Sequence, residues 1–240
     1  MPIFNMVGGG GFNLVGMTWL ERSTLPYTLY DGSAVILNNE VHILGGGGGG
    51  DNTKHYKWNG SSWESVSTLP YVFVKGSAVA LNNEIHILGS YYDPKKHYKW
   101  NGSTWTKVST LPYNFSSTSA VVFNNEIHIL WVGDGDNYTQ AHYKWNGSSW
   151  ISVSTIPDKL KRGSAVVLND EIHVLGGYDN GSGTNYHYKW NGTTWESVST
   201  LPYNIYCGAA VVLNDEIHVL GGSYGFNNHH YSYGEVYTKA

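Results

Sequence analysis

Apolar positions in this chain come in runs of about five, and the runs come in pairs. Ser33-Ala34-Val35-Ile36-Leu37 is separated from Glu40-Val41-His42-Ile43-Leu44 by Asn38-Asn39, and the same arrangement returns from Ser77, Ser119, Ser164 and Ala209. Short β-branched runs that are apolar in successive rather than alternate positions predict strands covered on both faces. Asn-Asn or Asn-Asp tolerates the positive φ needed at both centres of a type I′ turn, so each pair predicts a β-hairpin. A second, more polar pair follows. His55-Tyr56-Lys57-Trp58 and Trp63-Glu64-Ser65-Val66 are joined through Asn59-Gly60, which predicts another hairpin of the same turn type. It recurs from His97, His142 and His187, and as the fragment His230-Tyr231-Ser232-Tyr233. No segment carries a sustained helical period.

Leu-Pro or Ile-Pro closes each unit, with prolines at 26, 70, 112, 157 and 202, so the chain is one array with a period near 45 residues. Each unit reads as a four-stranded antiparallel meander. Small sheets that are covered on both faces and repeated in series fit radial packing about an axis, which predicts an all-β fold, a β-propeller. Ser33-Ala34, Ser77-Ala78, Ser119-Ala120, Ser164-Ala165 and Ala209-Ala210 supply the small residues that an innermost strand needs where the sheets converge. The chain divides as one domain, 1–240, with a Gly-rich tail at 1–10 and a closing strand at 11–26. The repeats run over about 32–70, 76–112, 118–157, 163–202 and 208–233. Residues 11–26 align with 187–202, placing Trp19 where Trp195 stands, so Thr18-Trp19-Leu20-Glu21 can supply the fourth strand that the last repeat lacks. The expectation is five blades closed by the N- and C-terminal strands. Phe4-Asn5-Met6-Val7-Gly8-Gly9 echoes a second strand and makes six blades the alternative.

The run Ala165-Val166-Val167-Leu168-Asn169-Asp170-Glu171-Ile172-His173-Val174-Leu175-Gly176-Gly177 precedes a Tyr and a Trp seven apart, then Leu-Pro. Tyr56 and Trp63, Tyr98 and Trp105, Tyr143 and Trp150, and Tyr188 and Trp195 keep that spacing. Over residues 12–233 the pattern resembles the kelch repeat, and the resemblance implies a propeller. It departs in two columns: His replaces the usual aromatic of the second strand, and Lys57, Lys99, Lys144 and Lys189 stand where an acidic residue often follows the Tyr.

Composition narrows the function. Charged residues are 13%, against 30 Gly, 19 Tyr and 10 Trp, a profile of strands and tight turns. A net charge of −4 gives no basic field for a phosphate backbone, so nucleic acid is not an expected partner, and neither is a membrane. Cys207 is the single cysteine and forms no intramolecular disulfide. The N-terminal sequence has neither a basic segment nor an apolar run of signal-peptide length, so the location, which the sequence leaves unassigned, is expected to be the cytoplasm or a particle such as a virion.

Five Glu-x-His pairs (Glu40/His42, Glu84/His86, Glu126/His128, Glu171/His173, Glu216/His218) put a carboxylate and an imidazole on one side of a strand. Catalysis needs one asymmetric constellation, and a feature copied five times reads as packing, each buried His finding a hydrogen-bond partner. His55, His97, His142, His187 and His230 read the same way, with no zinc-ligand spacing around them. The copper-radical oxidases that use this fold require a Tyr–Cys–His cluster, which the sequence does not place here. The glycine tract at 45–50 lacks the Lys-Ser/Thr of a phosphate loop. Asn-Gly-Ser/Thr at Asn59, Asn101, Asn146 and Asn191 is turn chemistry rather than a set of glycosylation sites. No catalytic residue, metal or cofactor is assigned.

The copies disagree in one place. The loops between second and third strands (47–54, 90–96, 131–141, 178–186, 223–229) and the links between blades (27–31, 71–75, 113–117, 158–162, 203–207) vary, and a meander puts both sets on one face of the ring. Loops on a rigid scaffold carry binding, and Tyr and Trp suit recognition. The expected binding residues are Tyr91, Tyr92, Trp131, Tyr138, Tyr178, Tyr186, Tyr224 and Phe226, whereas Tyr27, Tyr71, Tyr113 and Tyr203, which follow the prolines, cap blade edges. The function read from this is a non-catalytic module that binds a protein or a glycan. The alternatives are a structural component such as a phage virion protein or an engineered repeat scaffold, and a propeller enzyme of oxidase or sugar-isomerase type.

Overall fold

The computed structural model describes residues 23–47, 52–131, 133–134, 137–179, 181–222 and 230–234. Among these there is no helix, and the strands form five small antiparallel sheets arranged as the blades of a β-propeller. Ser33–Leu37, Glu40–Leu44, Lys54–Trp58 and Trp63–Thr68 pair in chain order as the first blade. The second, third and fourth blades repeat that meander. In the fifth, Ala209–Leu213, Glu216–Leu220 and His230–Tyr233 are the strands described. The expected closing strand at Thr18-Trp19-Leu20-Glu21 lies outside the described residues.

All five first hairpins turn as expected: Asn38 and Asn39 have φ of 51° and 64°, and the four later pairs match them. The second hairpins differ from expectation. Trp58 pairs with Trp63, which leaves a four-residue loop in place of a two-residue one. Its geometry is set by the Asn59 side chain, whose Oδ1 accepts the Ser61 and Ser62 N–H groups at 2.9 and 3.0 Å. Gly60 supplies a φ of 100° in open space. This explains why Asn-Gly-Ser/Thr recurs: the turn uses the Asn acceptor, the Gly backbone and a small third residue.

Among the described residues the core consists of four apolar layers, one in each seam between blades consecutive in the chain. Third and fifth positions of an innermost strand face the next blade, so Val79 and Leu81 pack against Ile127, Ile129 and Trp145. The link to each following blade drives one apolar residue into the seam, namely Phe73, Phe115, Leu160 or Ile205, each at most 2% exposed. Along the axis, Ser33 Oγ accepts the Ala78 N–H, and Ser164 Oγ donates to Gly208 O. The small first residues therefore join neighbouring blades as well as leaving room. On the last blade, Val211 and Leu213 are about half exposed, at 48% and 53%.

The repeated histidines find one another. His42 Nδ1 lies 2.8 Å from His55 Nε2, and His55 Nδ1 lies 2.8 Å from Ser67 Oγ. Ser67 Oγ accepts the indole N–H of Trp105 from the next blade at 2.9 Å. Trp can only donate, which frees the Ser67 hydroxyl to donate to His55 Nδ1; His55 then donates from Nε2 to His42. The His–His contact recurs in all five blades, and the Trp–Ser contact crosses the next two seams. Burial in these seams pushes the His55, His97 and His142 imidazoles down to about 3. In the first four Glu-x-His pairs the Glu turns instead to the third-strand Lys, with Lys57, Lys99, Lys144 and Lys189 at 2.8–3.0 Å. His173 Nε2 to Glu171 Oε2 is 3.9 Å, beyond hydrogen-bond distance.

The Trp–Ser bond predicts a modest seam effect. Trp150→Phe leaves Ser109 still bonded to His97 and removes one donor and part of a ring. Chemical denaturation should show a loss of about 1–2 kcal/mol; no loss would mean that this bond does not tie the blades.

Candidate functional site: the variable face and its mouth

Loops and links share one face, as their mutual hydrogen bonds show. Gly46 N–H donates to Phe73 O, Tyr91 N–H to Val74 O, and Gly177 N–H to Ile205 O. The expected binding residues divide on this face. Tyr91 and Tyr92 are 62% and 66% exposed and meet edge to face at 5.1 Å. Tyr178 is half-buried under the Lys161 ammonium, 5.2 Å from its ring, and Tyr186 is half-buried beside Tyr188. The backbone of Tyr138 lies in a short ladder, Asn137–Tyr138 against Gly133–Asp134, while its side chain falls outside what is described. Tyr224 and Phe226 lie outside the described residues.

Trp131 is a correction. It was expected on the surface and is 0% exposed, packed with Leu130, Ile156 and Leu160 in the seam between the third and fourth blades. Its φ of 54° matches that of Gly45, Gly89, Gly176 and Gly221, so it occupies a glycine position of the repeat. At Gly89 a Cβ would stand 1.9 Å from Phe115 O. The third seam has room because the following link is rerouted: Leu160 N–H turns back to Asp158 O. Of the four tyrosines expected to cap edges, three donate to the carbonyl of that glycine, Tyr27 to Gly45, Tyr71 to Gly89 and Tyr203 to Gly221. Tyr113, in the blade that carries Trp131, is about half exposed and stacks on Tyr143.

At the centre of the face is a mouth that the sequence reading did not single out. The last residue of each link, two positions before the innermost strand begins, is Asp31, Lys75, Ser117, Arg162 or Cys207, with φ between 54° and 58°. Their backbones join around the axis: Lys75 N–H to Asp31 O, Ser117 to Lys75, Arg162 to Ser117 and Cys207 to Arg162, at 2.7–3.2 Å. Together with Thr118 and the adjacent glycines they line a cavity of about 350 Å³. Lys75 Nζ is 3.8 Å from Asp31 Oδ2 and 5.5 Å from the Tyr91 ring, which couples the mouth to the exposed tyrosine pair. The Arg162 side chain is exposed, the Cys207 thiol is free and exposed, and Thr118 Oγ1 is buried without a hydrogen-bond partner. The left-handed region favours glycine, yet five different side chains occupy it here. The signal was available in the sequence as a column: within the five-residue links, the last position is the one that differs in all five copies.

No family model and no curated protein sequence matches the chain. Solved structures match by shape, 317 chains in all. One, titled "Structure of YjhT", aligns with a TM-score of 0.72 over 82% of this chain and 73% of that chain, at 14% sequence identity. At that identity the likeness is one of architecture, and it places this all-β chain among the β-propellers.

Proposed function

We propose that the protein is a non-catalytic recognition module of kelch-like type that engages a protein or glycan partner through its variable face, with the central mouth receiving an anionic group of that partner. The observation that carries this is the column Asp31, Lys75, Ser117, Arg162 and Cys207: five different side chains on a hydrogen-bonded ring whose left-handed backbone is the same in every blade. A left-handed backbone kept at the end of all five links without a single glycine points to use. Two cations, of which Arg162 is exposed and Lys75 is shared with one carboxylate, favour an anionic guest, and guanidinium geometry suits a carboxylate. Tyr91 and Tyr92 extend the contact outward.

The test is a Lys75→Met/Arg162→Met double variant compared with the wild-type chain as immobilised bait, using cell extract and a printed glycan array. The partner held by the wild type should be lost from the variant at unchanged melting temperature, and bound partner should slow alkylation of Cys207. Equal capture by both baits, with Cys207 unprotected, removes the mouth from the function.

A further inference from the structure

The fourth blade carries a second cavity on this face, of about 340 Å³, lined by Asp179, Ser182, Thr184, Asn185, Tyr186 and Asn204. Its walls are fixed by the backbone. Tyr178–Asp179 pairs with Ser182–Gly183 as a short ladder. Beyond it, Thr184 N–H donates to Gly177 O and Thr184 O accepts from Ile205, while Asn185 O accepts from Leu201 and Tyr186 O from Gly176, all at 2.8 Å. The backbone that carries the polar side chains is therefore held by strand and link without help from a guest.

Thr184 is 8% exposed, and its Oγ1 has no hydrogen-bond partner. A buried hydroxyl left unpaired is unfavourable, and the fold does not require it. The corresponding residue of the second blade is Pro94, whose carbonyl accepts from Phe115 just as Thr184 accepts from Ile205. The cavity is polar throughout, with one carboxylate, two primary amides, two hydroxyls and a phenol. Among the described residues that line it none is cationic, so the lining offers an anion no countercharge, and an apolar guest would leave the polar groups unpaired. Planar amides and a carboxylate facing hydroxyl donors match a ligand rich in neighbouring hydroxyl groups, and the volume is at the small end of ligand sites.

We infer that this cavity binds a neutral sugar ring through Thr184, Asn185, Asn204 and Asp179, with Tyr186 beside it. The inference rests on the reading of this face as the recognition face. Methyl glycosides of glucose, galactose, mannose and N-acetylglucosamine, titrated onto the full chain by saturation-transfer NMR and calorimetry, provide the probe. One of them should bind. Thr184→Val, which keeps the shape and removes only the unpaired hydroxyl, should weaken it about tenfold or more without lowering the melting temperature, and Asn204→Ala should act in the same direction. The Lys75→Met/Arg162→Met variant should leave that affinity unchanged. Absence of binding at millimolar glycoside, binding indifferent to both cavity variants, or uptake of Ca²⁺ in place of sugar would overturn the site. A sugar lost only in the mouth variant would overturn it too, while leaving the recognition reading standing.

Discussion

Lowering the pH from 7 toward 4 unfolds the protein cooperatively, with the midpoint between about pH 6 and 4. The cause is the repeated His–His pair. Burial holds His55, His97 and His142 at about 3, and His86, His128 and His187 at about 4. An unfolded chain protonates the same groups near 6.5. Below that value the unfolded state binds more protons than the folded one, so the stability contributed by these histidines is complete above pH 6.5 and is lost as the pH falls toward 3–4. Each such group contributes a slope of about 1.4 kcal/mol per pH unit in that window. The three lowest alone give about 4 kcal/mol per unit, against a total stability of roughly 5–15 kcal/mol for an ordinary domain. A proton also has nowhere useful to go: His97 already accepts at one nitrogen and donates to His86 from the other. Circular dichroism melts at half-unit pH steps measure the effect. A melting temperature that is flat between pH 7 and 4 would show that the pairs are not held neutral, and a His86→Leu/His97→Phe variant should shed part of the slope.

These pairs also show where sequence and structure part company. The histidines were legible as buried and in need of a partner, but not as partners of each other, because they are not opposite. In register, His42 faces Lys57 and His55 faces Leu44. The contact is diagonal, which strand pattern alone does not single out. By contrast, the repeat length, the five hairpins, the Asn-Asn turns and the small inner residues were readable, since each follows from local backbone chemistry copied five times. The mouth was half readable. The link ends were recognised as variable, yet their convergence on one ring depends on how the blades close about the axis. The blade-four cavity depends on an unforeseen two-residue ladder, Tyr178–Asp179 with Ser182–Gly183, and on a hydroxyl whose lack of a partner is a fact of packing.

Replacing Trp131 with Ala destabilises the fold by about 3–5 kcal/mol. Sequence reasoning took this residue for a surface contact because an aromatic at the start of a variable loop looks like a binding residue. The comparison that corrects it is internal: the other four blades place glycine there, and the link after Trp131 is the one in which the seam residue, Leu160, turns its N–H back to Asp158 O, whereas Phe73, Phe115 and Ile205 donate to the preceding loop. The two changes compensate, since the indole fills the seam that the rerouted link leaves. Truncation therefore opens a cavity between two sheets whose contact is mainly this layer, which also holds Leu130, Ile156, Ile172 and Val174. The left-handed backbone gives the prediction a second, more specific part. At φ of 54° any Cβ is strained and glycine is not, so Trp131→Gly should be less destabilising than Trp131→Ala by about 1 kcal/mol. In a regular strand the order would be reversed. Urea melts of the two variants decide the matter. Near-neutral stability for Trp131→Ala would return the residue to the surface, and Ala above Gly would mean that the strained backbone relaxes once the ring is gone.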